Sequence, residues 1–206
     1  MEVATVPLAL DDFVPVVLAG IGSFLLAQAC CRRQPRVGQV PLYAAAAIAV
    51  GGLCKAAWKL NLALAGNDLA HVDDVLFALL GPGFAYLAWA LLAARSSWRS
   101  MALPSYAVGL AGTATVLLQS TGPLLALTVL GSTATLVLAV ELALRNDDRP
   151  AAVLFGTSLL FAYALVPLAG ADQSISHQWW EQTLNTVGQG AFALASFRLV
   201  NVRSYA

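Results

Sequence analysis

The sequence is poor in charge. Only 11% of its 206 residues are charged and 59% are hydrophobic, whereas a soluble domain carries roughly 25% charged residues, so water is not the main solvent of this chain. The net charge is zero. That balance excludes a nucleic-acid partner, because phosphate contacts need a basic excess. Lysine is scarcer still: Lys55 and Lys59 are the only two. Three cysteines (Cys30, Cys31, Cys54) are an odd number without metal spacing and read as free thiols. The chain has no glycine-rich phosphate loop, no Gly-x-Ser-x-Gly and no His-Glu-x-x-His. Residues 1–12 have no basic stretch and no small-residue cleavage site, so they are not a cleavable leader and the first span is expected to stay in the membrane.

What the chain has in abundance is apolar runs of bilayer length. A helix needs about 20 apolar residues to cross the hydrocarbon core. Seven stretches qualify, 13–31, 40–64, 73–94, 102–119, 122–144, 151–169 and 177–199, and together they occupy one transmembrane domain covering 1–206. Backbone amides in lipid must bond within their own segment, which makes each run a helix. The expected class is therefore an all-α integral membrane protein with seven transmembrane helices.

Arginine is missing from every second gap. Arg32, Arg33 and Arg36 follow the first span, Arg95 and Arg99 the third, Arg145 and Arg149 the fifth, and Arg198 and Arg203 the seventh. The opposite side carries Glu2, Asp11, Asp12, Asp68, Asp73, Asp74 and Asp172. Arginine marks the cytoplasmic side, so the amino terminus is expected outside and the carboxyl terminus inside, in the cytoplasmic membrane of a bacterium.

A parallel repeat is legible. Residues Val17 to Arg33 resemble Val129 to Arg145 at an offset of 112; Asp74, Gly81 and Gly83 align with Glu181, Gly188 and Gly190 at 107; Leu64 to Asp68 aligns with Leu168 to Asp172 at 104. Spans one to three would repeat as five to seven with the fourth as linker, a 3+1+3 plan known among transporters. The helix count and orientation resemble those of seven-helix opsins and of 3+1+3 sugar transporters, in architecture alone. The seventh span has no lysine, which excludes an opsin Schiff base in its usual place.

Ionisable groups at membrane depth point to function. Lys55 and Lys59 share one face of the second span, roughly 22 and 28 Å above its cytoplasmic end at 1.5 Å per residue. The acids expected to meet them are Glu181 of the seventh span and Asp74 of the third. Glu181, Asn185 and Gln189, with Gly188, form a polar stripe that should face the bundle interior. Asp73 and Asp74 also complement the dipole of the third span's start. Gly81-Pro82-Gly83 either interrupts that span or serves close packing. His71, His177, Asp73, Asp74 and Glu181 make a weak candidate metal site. Trp179-Trp180 suits an interfacial belt, Glu141 pairs with Arg145 at i+4, and Asp147 and Asp148 read as loop charges.

The reading that follows is an outward-facing polar pocket of Lys55, Lys59, Asp74, Glu181, Asn185 and Gln189 that binds or translocates a small polar solute or a lipid headgroup. Two alternatives stand beside it. One is a membrane-embedded lipid hydrolase using Asp74 and Glu181 as acid and base, with His71 and His177 around a metal. The other is a non-catalytic subunit, or a homo-oligomer, that packs through Ala44 to Ala47, Gly51-Gly52, Gly109 and Gly112. No cofactor is named by any motif. The expected partner throughout is the lipid bilayer.

Overall fold

The computed structural model describes residues 5–66, 70–95, 100–169 and 174–201, without the side chains of residues 70–74, 166 and 169. It is all helical, with no strand among the described residues. A short helix α1 (Val6–Asp11) runs into α2 (Phe13–Arg33); a single 3-10 turn (Pro35–Val37) leads to α3 (Val40–Ala65), followed by α4 (Ala70–Arg95), α5 (Ala102–Leu118), α6 (Gly122–Arg145), α7 (Arg149–Ala169) and α8 (Ile175–Asn201). The seven long helices match the seven apolar runs to within a few residues. Helix α1 is additional to those runs. Its Val-Pro-Leu-Ala-Leu sequence is as apolar as a span, and Pro15 explains why it is separate: proline lacks the N–H that would bond the Asp11 carbonyl one turn earlier.

Local chemistry sets the ends. Gly66 stops α3 in the left-handed region (φ 65°), its N–H returning to Leu62 O at 3.0 Å, a conformation glycine reaches without a β-carbon penalty. Helix α8 starts two residues earlier than the apolar run places it and is capped by Ser174, whose Oγ accepts the His177 N–H at 3.4 Å. Asp148 caps α7 by accepting the Ala151 N–H at 3.1 Å.

Four helical segments are long and apolar enough to cross a membrane: Val6–Arg33, Val40–Ala65, Val75–Arg95 and Gly122–Arg145. Ala102–Leu118 and Arg149–Leu165 are shorter apolar helices. The distribution of side-chain size agrees with lipid as solvent. The buried centre is rich in alanine (Ala27, Ala45, Ala90, Ala139, Ala143, Ala195), while Leu110, Leu117, Leu130 and Leu160 lie on the outside, Leu117 at 77% exposure. Large side chains such as Phe155, Leu26 and Leu87 are buried as well, but so many exposed large apolar residues are rare on a soluble protein, and together with the alanine-rich centre they fit an integral membrane protein, whose helices approach through small residues.

Packing order defines the architecture. Helix α2 packs on α3, α3 on α4, α4 on α6, α6 on α7, α7 on α8, and α8 returns to α2. Six helices thus close a ring, and α5 lies outside it against α4 and α6. Glycines set the closest seams. A β-carbon on Gly22 would stand 3.1 Å from Ala193 Cα. One on Gly51 would stand 3.1 Å from Leu76 O, and one on Gly83 3.0 Å from Ala44 O. Gly81 faces the other way, toward Leu124 O of α6 at 3.2 Å. Helix α4 runs unbroken through Pro82, so the interruption considered from the sequence is not present. The two glycines let α4 approach α3 on one side and α6 on the other.

The arginines gather at one end. Glu141 accepts from Arg95 at 2.6 Å and from Arg145 at 2.8 Å, Arg33 donates to Asn146 Oδ1 at 2.8 Å, and Arg32 reaches Val200 O at 3.3 Å. Asp148 is no simple loop charge. It is 5% exposed, and its Oδ1 also accepts from Arg198 Nη2 at 2.9 Å and Nε at 3.1 Å, tying the start of α7 to the end of α8. We expect Asp148→Ala to lower unfolding stability in detergent by about 2 kcal/mol, from the lost cap and the charge-assisted bonds together. Asp148→Asn, which keeps a cap acceptor, should lose about half of that. A change within about 0.5 kcal/mol for the alanine variant would show that the tie carries no weight.

Candidate functional site

The ring encloses a cavity of about 400 Å³. All six ring helices line it: Val16 from α2, Lys55 and Lys59 from α3, Leu80 and Phe84 from α4, Ser132 and Leu136 from α6, Ser158 and Ala162 from α7, and Glu181, Asn185 and Gln189 from α8. Helix α5 contributes nothing. Five of the six pocket residues named from the sequence therefore face one space. The sixth, Asp74, has its side chain outside the described residues, as do His71 and Asp73.

One ion pair lies outside those expected from the sequence. Lys59 Nζ lies 3.0 Å from Asp12 Oδ2, with the two side chains 18% and 13% exposed. This acid stands at the start of the first span. Counting from the ends explains the meeting: Lys59 in α3, and Asp12 at the junction of α1 and α2 in the segment Val6–Arg33, each stand about 9 Å from the arginine-poor end at 1.5 Å per residue.

Glu181 also lies about 9 Å from that end, yet its neighbour is His177, one turn earlier on α8, with Nε2 3.5 Å from Oε1. His177 Nε2 is 3.0 Å from Leu168 O. A carbonyl oxygen only accepts, so Nε2 carries the proton and donates it there. That bond satisfies a carbonyl at the end of α7, left open by helix termination. The contact with Glu181 is a second, longer one, and Glu181 Oε1 is buried without a hydrogen bond. Among the described residues, no three histidine, cysteine or acidic side chains come together to hold a metal ion.

Lys55 stands one turn deeper than Lys59. It is half-buried and has no hydrogen bond or ion pair among the described residues. Asn185 lies at its depth on α8, and Gln189 Nε2 faces Asn185 Oδ1 at 3.5 Å. Gly188, grouped with this stripe in the sequence, points elsewhere: a β-carbon on it would stand 3.0 Å from Phe161 Cβ of α7. Asp12, Ser132, Ser158 and Gln182 also line the cavity and escape the sequence reading. Gln182 and Ser158 are 6% and 4% exposed. Gln182 is signalled by Gln178 four residues earlier, a second polar row beside the first; Ser158 has no signal, because a lone serine in an apolar helix most often bonds its own backbone.

The arrangement supplies one amine without a described partner, one carboxylate oxygen ready to accept, and three side-chain amides (Gln182, Asn185 and Gln189) that both donate and accept. Such a set holds a polar ligand by charge and hydrogen bonds. Comparison of the chain with protein-family models, with curated proteins and with solved structures finds no match in any of the three.

Proposed function

We propose that this is a seven-helix protein of the bacterial cytoplasmic membrane, amino terminus outside, whose ring of helices binds or translocates a small polar solute or a lipid headgroup in its outer half. The observation that carries the reading is Lys55, without an ion-pair partner among the described residues, sharing one cavity with the unsatisfied carboxylate oxygen of Glu181. A charged group set at membrane depth without a protein partner is costly, and a ligand that bonds both groups lowers that cost. Orientation rests on the arginines at one end of the bundle. Trp179 and Trp180 are exposed at the other end, where an interfacial belt would place them.

The packing order supports the 3+1+3 plan. Exchanging α2, α3 and α4 with α6, α7 and α8 turns each seam of the ring into another seam of the ring: α2–α3 into α6–α7, α3–α4 into α7–α8, and α4–α6 into α8–α2. Helix α5 sits outside as a linker would.

The test is cysteine accessibility. In a chain with Cys30, Cys31 and Cys54 replaced, Lys55→Cys should react with a membrane-impermeant maleimide applied outside intact cells, and Leu117→Cys on the lipid-facing side of α5 should not. Reaction only in inverted vesicles would reverse the orientation, and no reaction from either side would remove the proposed water-accessible site. One observation favours a second reading: at Gly109 and Gly112 of α5 nothing lies within 4 Å of the point a β-carbon would occupy, which suits contact with a partner helix. A stable larger complex after mild detergent extraction, lost in Gly109→Leu, would support it.

A further inference from the structure

The cavity changes character with depth. Counting from the arginine-poor end at 1.5 Å per residue, Asp12, Lys59 and Glu181 lie at about 9 Å, Lys55 and Asn185 at about 15 Å, and Gln189 at about 21 Å. Below the lysines Gln189 is the last polar side chain, and the other walls there are apolar. Phe84 and Leu136 stand at about 21 Å, and Ile48 and Phe192 at about 26 Å. These four line the same space, and Ile48, Leu136 and Phe192 are 4%, 7% and 4% exposed. A small polar solute held at Lys55 leaves this floor bare. Apolar space of that kind stays dry and takes apolar guests, and a pocket of a few hundred Å³ with an apolar wall and few polar anchors is the usual shape of a small-molecule site.

We propose, building on the solute-binding reading above, that the ligand is an amphiphile with one acyl chain, whose head carries an anionic oxygen and an adjacent hydrogen-bond donor. Lys55 is the anchor for the anion, since its amine is the cation of the cavity without a described partner. Glu181 Oε1 takes the donor, because it accepts no hydrogen bond and an ionised carboxylate only accepts. A purely anionic head would face Glu181 without compensation; a head that also donates turns that repulsion into a bond. The chain then runs toward Ile48, Phe84, Leu136 and Phe192. The head anion is a carboxylate if the ligand is a free acylated acid, and a phosphate if it is a single-chain membrane lipid; the recognition chemistry is the same.

The experiment uses the full chain in lipid nanodiscs, with empty nanodiscs as the control for partitioning. The probes are N-lauroylglycine (anion, N–H donor and chain), N-lauroylsarcosine (the donor replaced by N-methyl), N-acetylglycine (the chain removed) and lauroyl-lysophosphatidylethanolamine (phosphate head with ammonium donor). N-lauroylglycine or the lysolipid should bind to the protein, with Lys55→Ala weakening it at least about tenfold. N-acetylglycine should bind at least about tenfold more weakly than N-lauroylglycine, and N-lauroylsarcosine should also bind more weakly. Ala162→Phe provides a second variant. Ala162 lines the cavity about 10 Å from the arginine-poor end, at the level of the head and above the floor, and is exposed, so a larger ring has room there; it narrows the way in and should weaken binding of the lauroyl compounds at least about tenfold while leaving the fold intact. Binding of the lysolipid alone, still dependent on Lys55, assigns the head to phosphate and upholds the proposal. Equal binding of N-acetylglycine and N-lauroylglycine, both lost in Lys55→Ala, overturns the amphiphile while leaving the polar-solute reading in place. Binding of no probe, or binding indifferent to Lys55→Ala and Ala162→Phe, overturns the proposal, and maleimide reaction at Lys55→Cys then decides separately whether the polar site survives.

Discussion

Gly131→Leu should lower the unfolding temperature by roughly 10 °C, a cost of about 3 kcal/mol at the upper end of what overpacking produces. The reason is what stands against Gly131. A β-carbon there would sit 3.0 Å from the amide nitrogen of Ala85 and 3.1 Å from the carbonyl carbon of Phe84. Both are main-chain atoms of α4, so no side-chain rotation relieves the clash, and α4 and α6 must separate. Thr135, one turn later on α6 and fully buried, shares its hydroxyl proton between Gly131 O at 2.8 Å and Phe84 O at 3.3 Å. Separation weakens that bridge as well. Gly109→Leu on α5 is the matched control: nothing lies within 4 Å of its β-carbon position, and its effect should stay within about 0.5 kcal/mol. Thermal unfolding in one detergent compares the two directly. Equal melting temperatures would mean that the α4–α6 seam does not hold the ring.

Asp12→Ala should cost about 2 kcal/mol, less than the 3–5 kcal/mol typical of a fully buried pair because both groups keep some exposure. Its partner Lys59 is left charged at the edge of the bundle, with a long stem that can carry the amine toward water. Lys59→Met in the same chain should recover most of the loss, since removing both charges also removes both desolvation terms. The double-mutant cycle isolates the pair from the other contacts of Lys59. A coupling energy of about 1–2 kcal/mol is expected by denaturant unfolding, and one below about 0.5 kcal/mol would reduce the Lys59–Asp12 contact to a surface encounter.

These two sites show where the sequence speaks and where it does not. Helix existence is legible because apolar length is a one-dimensional property, and the ends move by only a few residues, as with Ser174 capping α8. The polar stripe of Glu181, Asn185 and Gln189 is legible because helical spacing places these residues on one face. Pairing is not. Lys59 has several acids at comparable depth, and choosing among them requires knowing that α1 and α2 lie beside α3. The ring itself is equally hidden: nothing in the composition of α5 distinguishes it from the helices that enclose the cavity. The apolar floor escapes for a related reason. Ile48, Phe84, Leu136 and Phe192 are ordinary core residues along each helix, and only their convergence from four helices leaves a space. Asp148 escapes because its role depends on Arg198, fifty positions away.

Closure of α8 onto α2 has a consequence for biogenesis. Segments inserted first cannot complete the enclosure, because its final wall leaves the ribosome last. The Asp12–Lys59 contact can form once the early hairpin is in the bilayer, well before Glu181 arrives, so a nascent chain shields one amine while the other still waits. The chamber comes into being only when α8 packs against α2 and α7, which makes that docking the step that completes the ring.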